Sequence, residues 1–378
     1  NVKPNAWLTE PEPMYPLKVY FCHSCNLVQL LDVVDKEELF KNYPFVSAGV
    51  GNTPKHFQEY ATEIQDRFLR PGDLVVEIGG NDGVLLRELK GMKTLNIEPA
   101  ENIAPIAEGQ GVKTINDFFS VDIARKVVGQ FGKARVVMGN NSIPHIDDQV
   151  EVMRGIKELL AEDGVGIIQA HYLGYIFDTL GYGDMYHEHM SYYAMRPLIE
   201  FYKKFGLVIF DYQLLPFQGV SLRIYFGHAD KYKEGENVKA LAAQELKKKW
   251  DTVETYFELA RDVKKSRDTL VATLTSLKRD GKNIAAYGAA AKGVPILNYA
   301  GITNELIDFC VDDLPQKQGL CMPLSHIPII SSAEARSRKV DYYLLLAWSF
   351  REHIAQKEKD FVASGGKFIM PIGDIEIF

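Results

Sequence analysis

Apolar runs and glycine turns alternate through the middle of the chain. LVVEI (74–78) is a continuous apolar stretch of the kind a strand buried on both faces shows. Gly79, Gly80 and Gly83 close it, and VLLREL after them reads as a helix. LNIEP supplies a second strand ending at Glu98. A helix over 102–110, the strand VKTI, a helix over 120–129 and the strand ARVVMGN follow. A helix over 147–161 then precedes GVGIIQAH. Strands that alternate with helices predict a doubly wound parallel α/β sheet, whose ligands bind at the carboxyl ends of the strands. One further helix and two strand-like runs, VIFDYQLL and VSLRIYFG, occupy residues 197–232.

A polar amphipathic region over 235–280 predicts one or two long helices, with Leu241, Leu246, Trp250 and Val253 at helical spacing. Beyond Gly281 the strand–glycine–helix pattern starts again. NIAAYG, LIDFCVDD, IPII, DYYLLLAW and KFIMPI read as strands, with helices over 332–338 and 350–364 and Ser331 or Ser332 as an N-cap. The expected organisation is an N-terminal module over 1–55, a larger α/β domain over 56–232, a helical connector over 233–281 and a smaller Rossmann-like domain over 282–378.

Composition narrows the function. A length of 378 residues, 46% apolar and 25% charged, suits full cores in two or three domains. The net charge of −7 and the lack of a basic block argue against nucleic acid. No apolar run reaches the roughly 18–20 residues of a membrane span. Four cysteines do not make a disulfide scaffold, so cytosol is the default location. The chain opens NVKPNAW, without methionine, which suggests residues lost or numbered away upstream. The block over 1–55 has too little apolar content for a core of its own. Cys22-His-Ser-Cys25 could supply half of a tetrahedral zinc site there, or be two free thiols.

The turn EIGGNDG is not the GxGxxG of dinucleotide folds. Its spacing is acid-x-Gly-x-x-x-Gly, from Glu77 through Gly79 and Asn81 to Gly83. A pyrophosphate wants bare amides at a helix N-terminus. A sulfonium nucleoside carries no phosphate and needs only close backbone approach to its methionine part and ribose. Glu98, at the end of the second strand, can accept both ribose hydroxyls. Asp117 and Phe118, after the third, can offer an acceptor and an apolar wall to adenine. The pattern points to S-adenosylmethionine.

DMYHEHMSYY (184–193) gathers two histidines, carboxylates and three tyrosines. His187 and His189 would share one face of a strand, as metal ligands might, but the HExxH spacing is absent. Proton handling is the stronger reading. A carbon methyl acceptor must lose a proton first, so it needs a base and donors for the enolate oxygen. Imidazole suits the base, Glu188 can orient it or meet substrate hydroxyls, and His145 follows the fourth strand toward the same mouth.

YPLKVYFCHSCNLVQL, NYPFVS, VVEIGGNDGVLL, NIEPAENIA, DMYHEHMSYY, SLRIY, AAYGAAAKG and VDDLPQKQGLCMP together resemble the S-adenosylmethionine-dependent C-methyltransferases that act on nucleotide-linked 4-keto sugars in deoxysugar biosynthesis. The resemblance implies a zinc module with two CxxC pairs, Cys22 and Cys25 being the second, ahead of a methyltransferase domain and a C-terminal Rossmann-like domain. It implies that His189 takes the proton from sugar C3. Tyr186 and His145 would hold the enolate, Glu188 would assist, and Tyr43 would reach the site. Lys292, which could meet the substrate pyrophosphate or simply be solvated, Tyr287 and Arg223 become substrate-contact candidates. The sequence departs from the family pattern at Gln218 and Val220 (QGVSLR), Gln169 and Ala170 (IIQAHY), Phe45 and NSIPH. O- or N-methylation of a related nucleotide sugar, or binding without turnover, are the competing readings. The partner expected is a small-molecule nucleotide sugar. The sequence is silent on oligomeric state.

Overall fold

The protein's structure is a computed structural model that describes residues 3–4, 12–49 and 53–378. The chain divides into two compact units, neither continuous in sequence. One holds Lys18–Leu173 and His187–Val253; the other holds Asn1–Leu17, Gly174–Tyr186 and Glu254–Phe378. The helical connector is therefore shared. Its helix Glu236–Lys247 belongs to the first unit and most of Val253–Arg279 to the second.

The first unit is built on seven strands: β1 (Leu74–Ile78), β2 (Lys93–Ile97), β3 (Thr114–Ile115), β4 (Ala134–Asn140), β5 (Leu160–His171), β6 (Leu207–Leu215) and β7 (Ser221–His228). Their spatial order is β6-β7-β5-β4-β1-β2-β3. The expected all-parallel sheet is a mixed one, because β7 runs antiparallel to both β5 and β6. The short link between β6 and β7 makes them a hairpin, which forces that direction. The parallel strands β1–β5 form the Rossmann-like, doubly wound sheet expected from the alternation of strands and helices. The helix Thr53–Phe68 buries Phe57, Tyr60, Ala61 and Ile64 in a core with Val75, Val136 and Ile167. The helices Val121–Phe131 and Gln149–Leu159 start where Ser120 and Asp148 accept the backbone N–H groups of Ile123 and Glu151.

VLLREL is not an α-helix. Only the 3-10 turn Leu86–Glu88 forms there, hemmed by positive-φ glycines at 83 and 91. So short a run does not repay helix nucleation, and its leucines stay ordered by burial instead. His187 and His189 lie in a turn rather than a strand, so the same-face argument does not apply to them. A second, three-stranded antiparallel sheet joins Val19–Phe21 and Val28–Leu30 to Ser191–Tyr192, just past His189. The N-terminal hairpin thereby pins the histidine segment.

In the other unit β8 (Ile284–Tyr287), β9 (Cys310–Val311), β10 (Ile329–Ile330), β11 (Tyr342–Leu345) and β12 (Lys367–Ile369) form an all-parallel sheet in the order β10-β9-β8-β11-β12. Its core includes Ile284, Ile296, Leu344 and Phe368. The helix expected over 350–364 is two short ones, Arg351–Lys357 and Lys359–Ala363. Among the described residues no helix is long and apolar enough to cross a membrane.

One cross-strand contact tests the central packing. Gly166 on β5 faces Phe226 on β7, and a Cβ at 166 would lie 2.1 Å from the ring. Gly166→Ala is expected to cost about 1–3 kcal/mol, read as a lower urea midpoint. Phe226→Leu in the same chain should recover part of that loss.

Candidate active site

The cofactor cradle starts where β1 ends. Gly79 donates its N–H to the Ile97 carbonyl at 2.7 Å and adopts a φ of +67°. A Cβ at Gly80 would stand 2.5 Å from Asn96 Oδ1 and 2.9 Å from Glu77 Oε2, so only glycine fits. Asn96, buried on β2, accepts the Gly80 N–H and donates to the Asn81 carbonyl, both at 3.0 Å. Glu98 accepts the N–H of Asn81 at 2.8 Å and of Ala100 at 2.9 Å. Burial pushes its carboxyl up against the opposing pull of those donors.

Glu77 is fully walled in. Asn140 Nδ2 donates to its Oε1 at 2.7 Å, while Oε2 has no hydrogen-bond partner. Desolvation lifts its pKa to about 7. Asp82 Oδ1, Asn140 Oδ1 and Asn141 Oδ1 are buried acceptors in the same condition. A cradle of unspent acceptors repels phosphate. It suits a ligand bearing an ammonium, a sulfonium and ribose hydroxyls, which is the chemistry of S-adenosylmethionine. Exposed Asp117 and half-buried Phe118 follow β3, with Lys36 Nζ 4.7 Å from the Phe118 ring centre.

The segment 41–48 straps across this cradle. The Glu101 N–H reaches the Lys41 carbonyl, and Asn102 exchanges two hydrogen bonds with the Tyr43 backbone. Asn81 Oδ1 accepts the Ser47 N–H at 2.9 Å and its Nδ2 donates to the Phe45 carbonyl at 3.0 Å. Asp82 Oδ2 accepts the Ala48 N–H. At the strap's far side Tyr43 donates its hydroxyl to Glu188 Oε2 at 2.8 Å. Burial and the neighbouring carboxylate hold the phenol proton on Tyr43, and burial raises Glu188.

Beside that pair the imidazoles gather. His145 ends the 3-10 turn Ile143–His145, three residues past Ser142, which packs on Gly79. The His145 and His189 rings stack 5.2 Å apart, Phe40 covers His145 at 5.7 Å, and His171 lies 4.7 Å from His189. The Met190 N–H bonds the Pro144 carbonyl and the Leu30 N–H bonds the Met190 carbonyl, which anchors the backbone next to His189. Burial lowers the His145 pKa to about 4, so near neutral pH it is an uncharged imidazole. Sequence reasoning missed His171; its place at the carboxyl end of β5 was the available signal.

Other anticipated site residues are engaged elsewhere. Buried Arg223 gives Nε and Nη2 to Gln169 Oε1 and Nη1 to Glu63 and Gln213, and its guanidinium lies over the Tyr60 ring. In the other unit, Lys292 Nζ stands 2.5 Å from the buried Asp184 Oδ1, and Tyr287 donates to Glu358 at 2.8 Å. Tyr186 is assigned to that unit as well. Cys22 and Cys25 share one tight turn, in which Asn26 takes a φ of +61°. Backbone N–H groups of Cys25 and Ser24 hold the Cys22 thiol below its ordinary value, as a thiolate ligand requires. The pair fits half of a tetrahedral zinc site.

Comparison with known proteins identifies the family. Residues 55–211 match a family model described as "Methyltransferase domain", residues 216–373 one described as "C-methyltransferase C-terminal domain", and residues 2–40 one described as "Putative zinc binding domain". The chain is 33% identical to the C-methyltransferase NovU of Streptomyces niveus, over 96% of this chain and 87% of that one. The chain belongs to the S-adenosylmethionine-dependent C-methyltransferases. Among solved structures, magnesium protoporphyrin IX methyltransferase of Synechocystis PCC 6803 with bound SAH aligns at TM-score 0.36 and 14% identity, over 46% of this chain and 82% of that one. A methyltransferase of Thermotoga maritima aligns at TM-score 0.35 and 15% identity, over 47% and 88%. These scores are too low to add to the family assignment.

For a C-methyltransferase, the Tyr43–Glu188 pair is the first contact to break. Tyr43→Phe removes the donor that lowers Glu188, so the Glu188 pKa should rise further, visible by carboxyl infrared titration. A carboxylate whose folded pKa lies above its unfolded value costs stability as pH rises from the unfolded toward the folded pKa. The destabilisation by Tyr43→Phe is therefore expected to be larger at pH 8 than at pH 5. An equal loss at both would contradict it.

Proposed function

We propose that this C-methyltransferase acts on C3 of a nucleotide-linked 4-keto deoxysugar. The observation that carries the reading is the stack of His145 and His189 beside the Tyr43–Glu188 pair, at the mouth of the acceptor-rich cradle. Methylating carbon requires a carbanion equivalent, and a ketone next to the reacting C–H makes one accessible. His189 removes the C3 proton. Neutral His145 donates one N–H to the enolate oxygen, a role the resemblance also gives Tyr186. Glu188, held by Tyr43, orients the sugar through a hydroxyl.

When bound, S-adenosylmethionine supplies the electrophilic methyl. Gly79, Gly80 and Gly83 would let backbone approach it, and Glu77 would serve its ammonium, Glu98 its ribose, and Asp117 and Phe118 its adenine. Arg223, with its guanidinium bonded to Gln169, Glu63 and Gln213, is read as a scaffold for β5 and β7 rather than as a substrate contact. Cys22 and Cys25 hold a structural zinc together with ligands from elsewhere.

The direct test is incubation with methyl-labelled cofactor and a panel of 4-keto nucleotide sugars. A new quaternary carbon at C3 is expected; a methoxy or N-methyl product overturns the reading. His189→Asn should lower kcat by roughly 10²–10⁴-fold and leave affinity for S-adenosylhomocysteine unchanged, whereas a wild-type rate removes His189 as base. Glu77 ionises as pH rises through about 7. Affinity for S-adenosylhomocysteine should therefore strengthen from pH 6 to 8, and Glu77→Gln should flatten that dependence.

A further inference from the structure

We propose that Asn81 is a positioning residue that couples occupancy of the cofactor cradle to the placement of Tyr43. Both polar ends of its side chain are spent on the strap: Oδ1 on the Ser47 N–H and Nδ2 on the Phe45 carbonyl. Its own N–H is spent on Glu98. With φ at +53°, the backbone turns the amide toward the strap while the peptide stays part of the cradle. One residue thus bonds to the proposed ribose acceptor and to the segment that carries the acceptor-site tyrosine.

Apolar packing holds the strap through Ala48 against the core and through contacts of the Tyr43 ring with Phe40 and Phe45. Of residues 41–49 only Ser47 is buried; the rest are half-buried or exposed. Its other anchors are hydrogen bonds, and their partners (Asn81, Asp82, Glu101 and Asn102) lie on the two loops after β1 and β2. A segment held mainly by hydrogen bonds, with only Ser47 buried among its residues, opens more readily than the sheet beneath it. A ligand that braces both loops lowers the cost of closing the strap, and closure sets the Tyr43 hydroxyl on Glu188. Bound cofactor therefore favours the closed strap, in which Tyr43 meets Glu188. The catalytic consequence rests on the reading of Tyr43 and Glu188 as part of the acceptor site.

Hydrogen–deuterium exchange of the intact protein with S-adenosylhomocysteine tests the coupling without any acceptor. The Ser47 and Ala48 amides should slow markedly on adding the ligand; unchanged exchange overturns the proposal. Asn81→Gly keeps the positive φ and the N–H to Glu98 but deletes the bridge. In this variant the ligand-induced protection of Ser47 should vanish. Its affinity should fall by no more than the wild-type protection factor, since coupling is reciprocal. A larger fall makes Asn81 an ordinary cofactor ligand and overturns the proposal, as does retained protection. At saturating cofactor, kcat of Asn81→Gly should drop about tenfold or more. In a Tyr43→Phe background the same change should alter kcat by less than about twofold; a full additional loss contradicts action through Tyr43. If wild type methylates no 4-keto sugar, the acceptor reading fails while the exchange result still decides the coupling.

Discussion

Two backbone N–H groups, those of Asn81 and Ala100, converge on the single carboxylate of Glu98. That convergence joins the loop after β1 to the loop after β2, and the site is assembled on the result. The glycine turn can lie close to a ligand because Asn96 ties it from below while Glu98 ties it from the side. The strap can lie over the turn because Asn81 and Asn102 reach it from those same two loops. Without the shared carboxylate, the two loops would lose the side chain that bonds the backbone of both.

The electrostatics of the two halves of the site are opposed in a useful way. The cradle concentrates acceptors and raises Glu77, which favours a cationic ligand that brings its own donors. The imidazole stack concentrates rings in a poorly solvated setting and keeps His145 uncharged. A neutral imidazole can donate one N–H to a developing oxyanion while its other nitrogen stays an acceptor. The cradle and the imidazole stack are thus two separate electrostatic environments within one unit of the chain.

Much of this was legible along the chain because it is local. Apolar runs, the spacing from Glu77 to Gly83 and an acid at the end of β2 all sit within a short window. Ser120 and Asp148 announce their helices by the same logic. What escaped depends on distant pairing. Nothing near Asn81 foretells Phe45 and Ser47 as its partners, and nothing near Lys292 foretells Asp184. Arg223 looked available to a substrate because its neighbours on β7 do not show Glu63 or Gln169. VLLREL carried a helical pattern that two flanking turns cut too short to use.

The claim on which the account turns is that the His189 imidazole takes hydrogen from the acceptor carbon. Washing solvent deuterium into the 4-keto nucleotide sugar with no methyl donor present isolates that act from methyl transfer. The account predicts enzyme-dependent exchange at C3 alone, lost in His189→Asn. Exchange that persists at the wild-type rate in that variant, or methylation by the wild type without any exchange-competent C3 hydrogen, would contradict it.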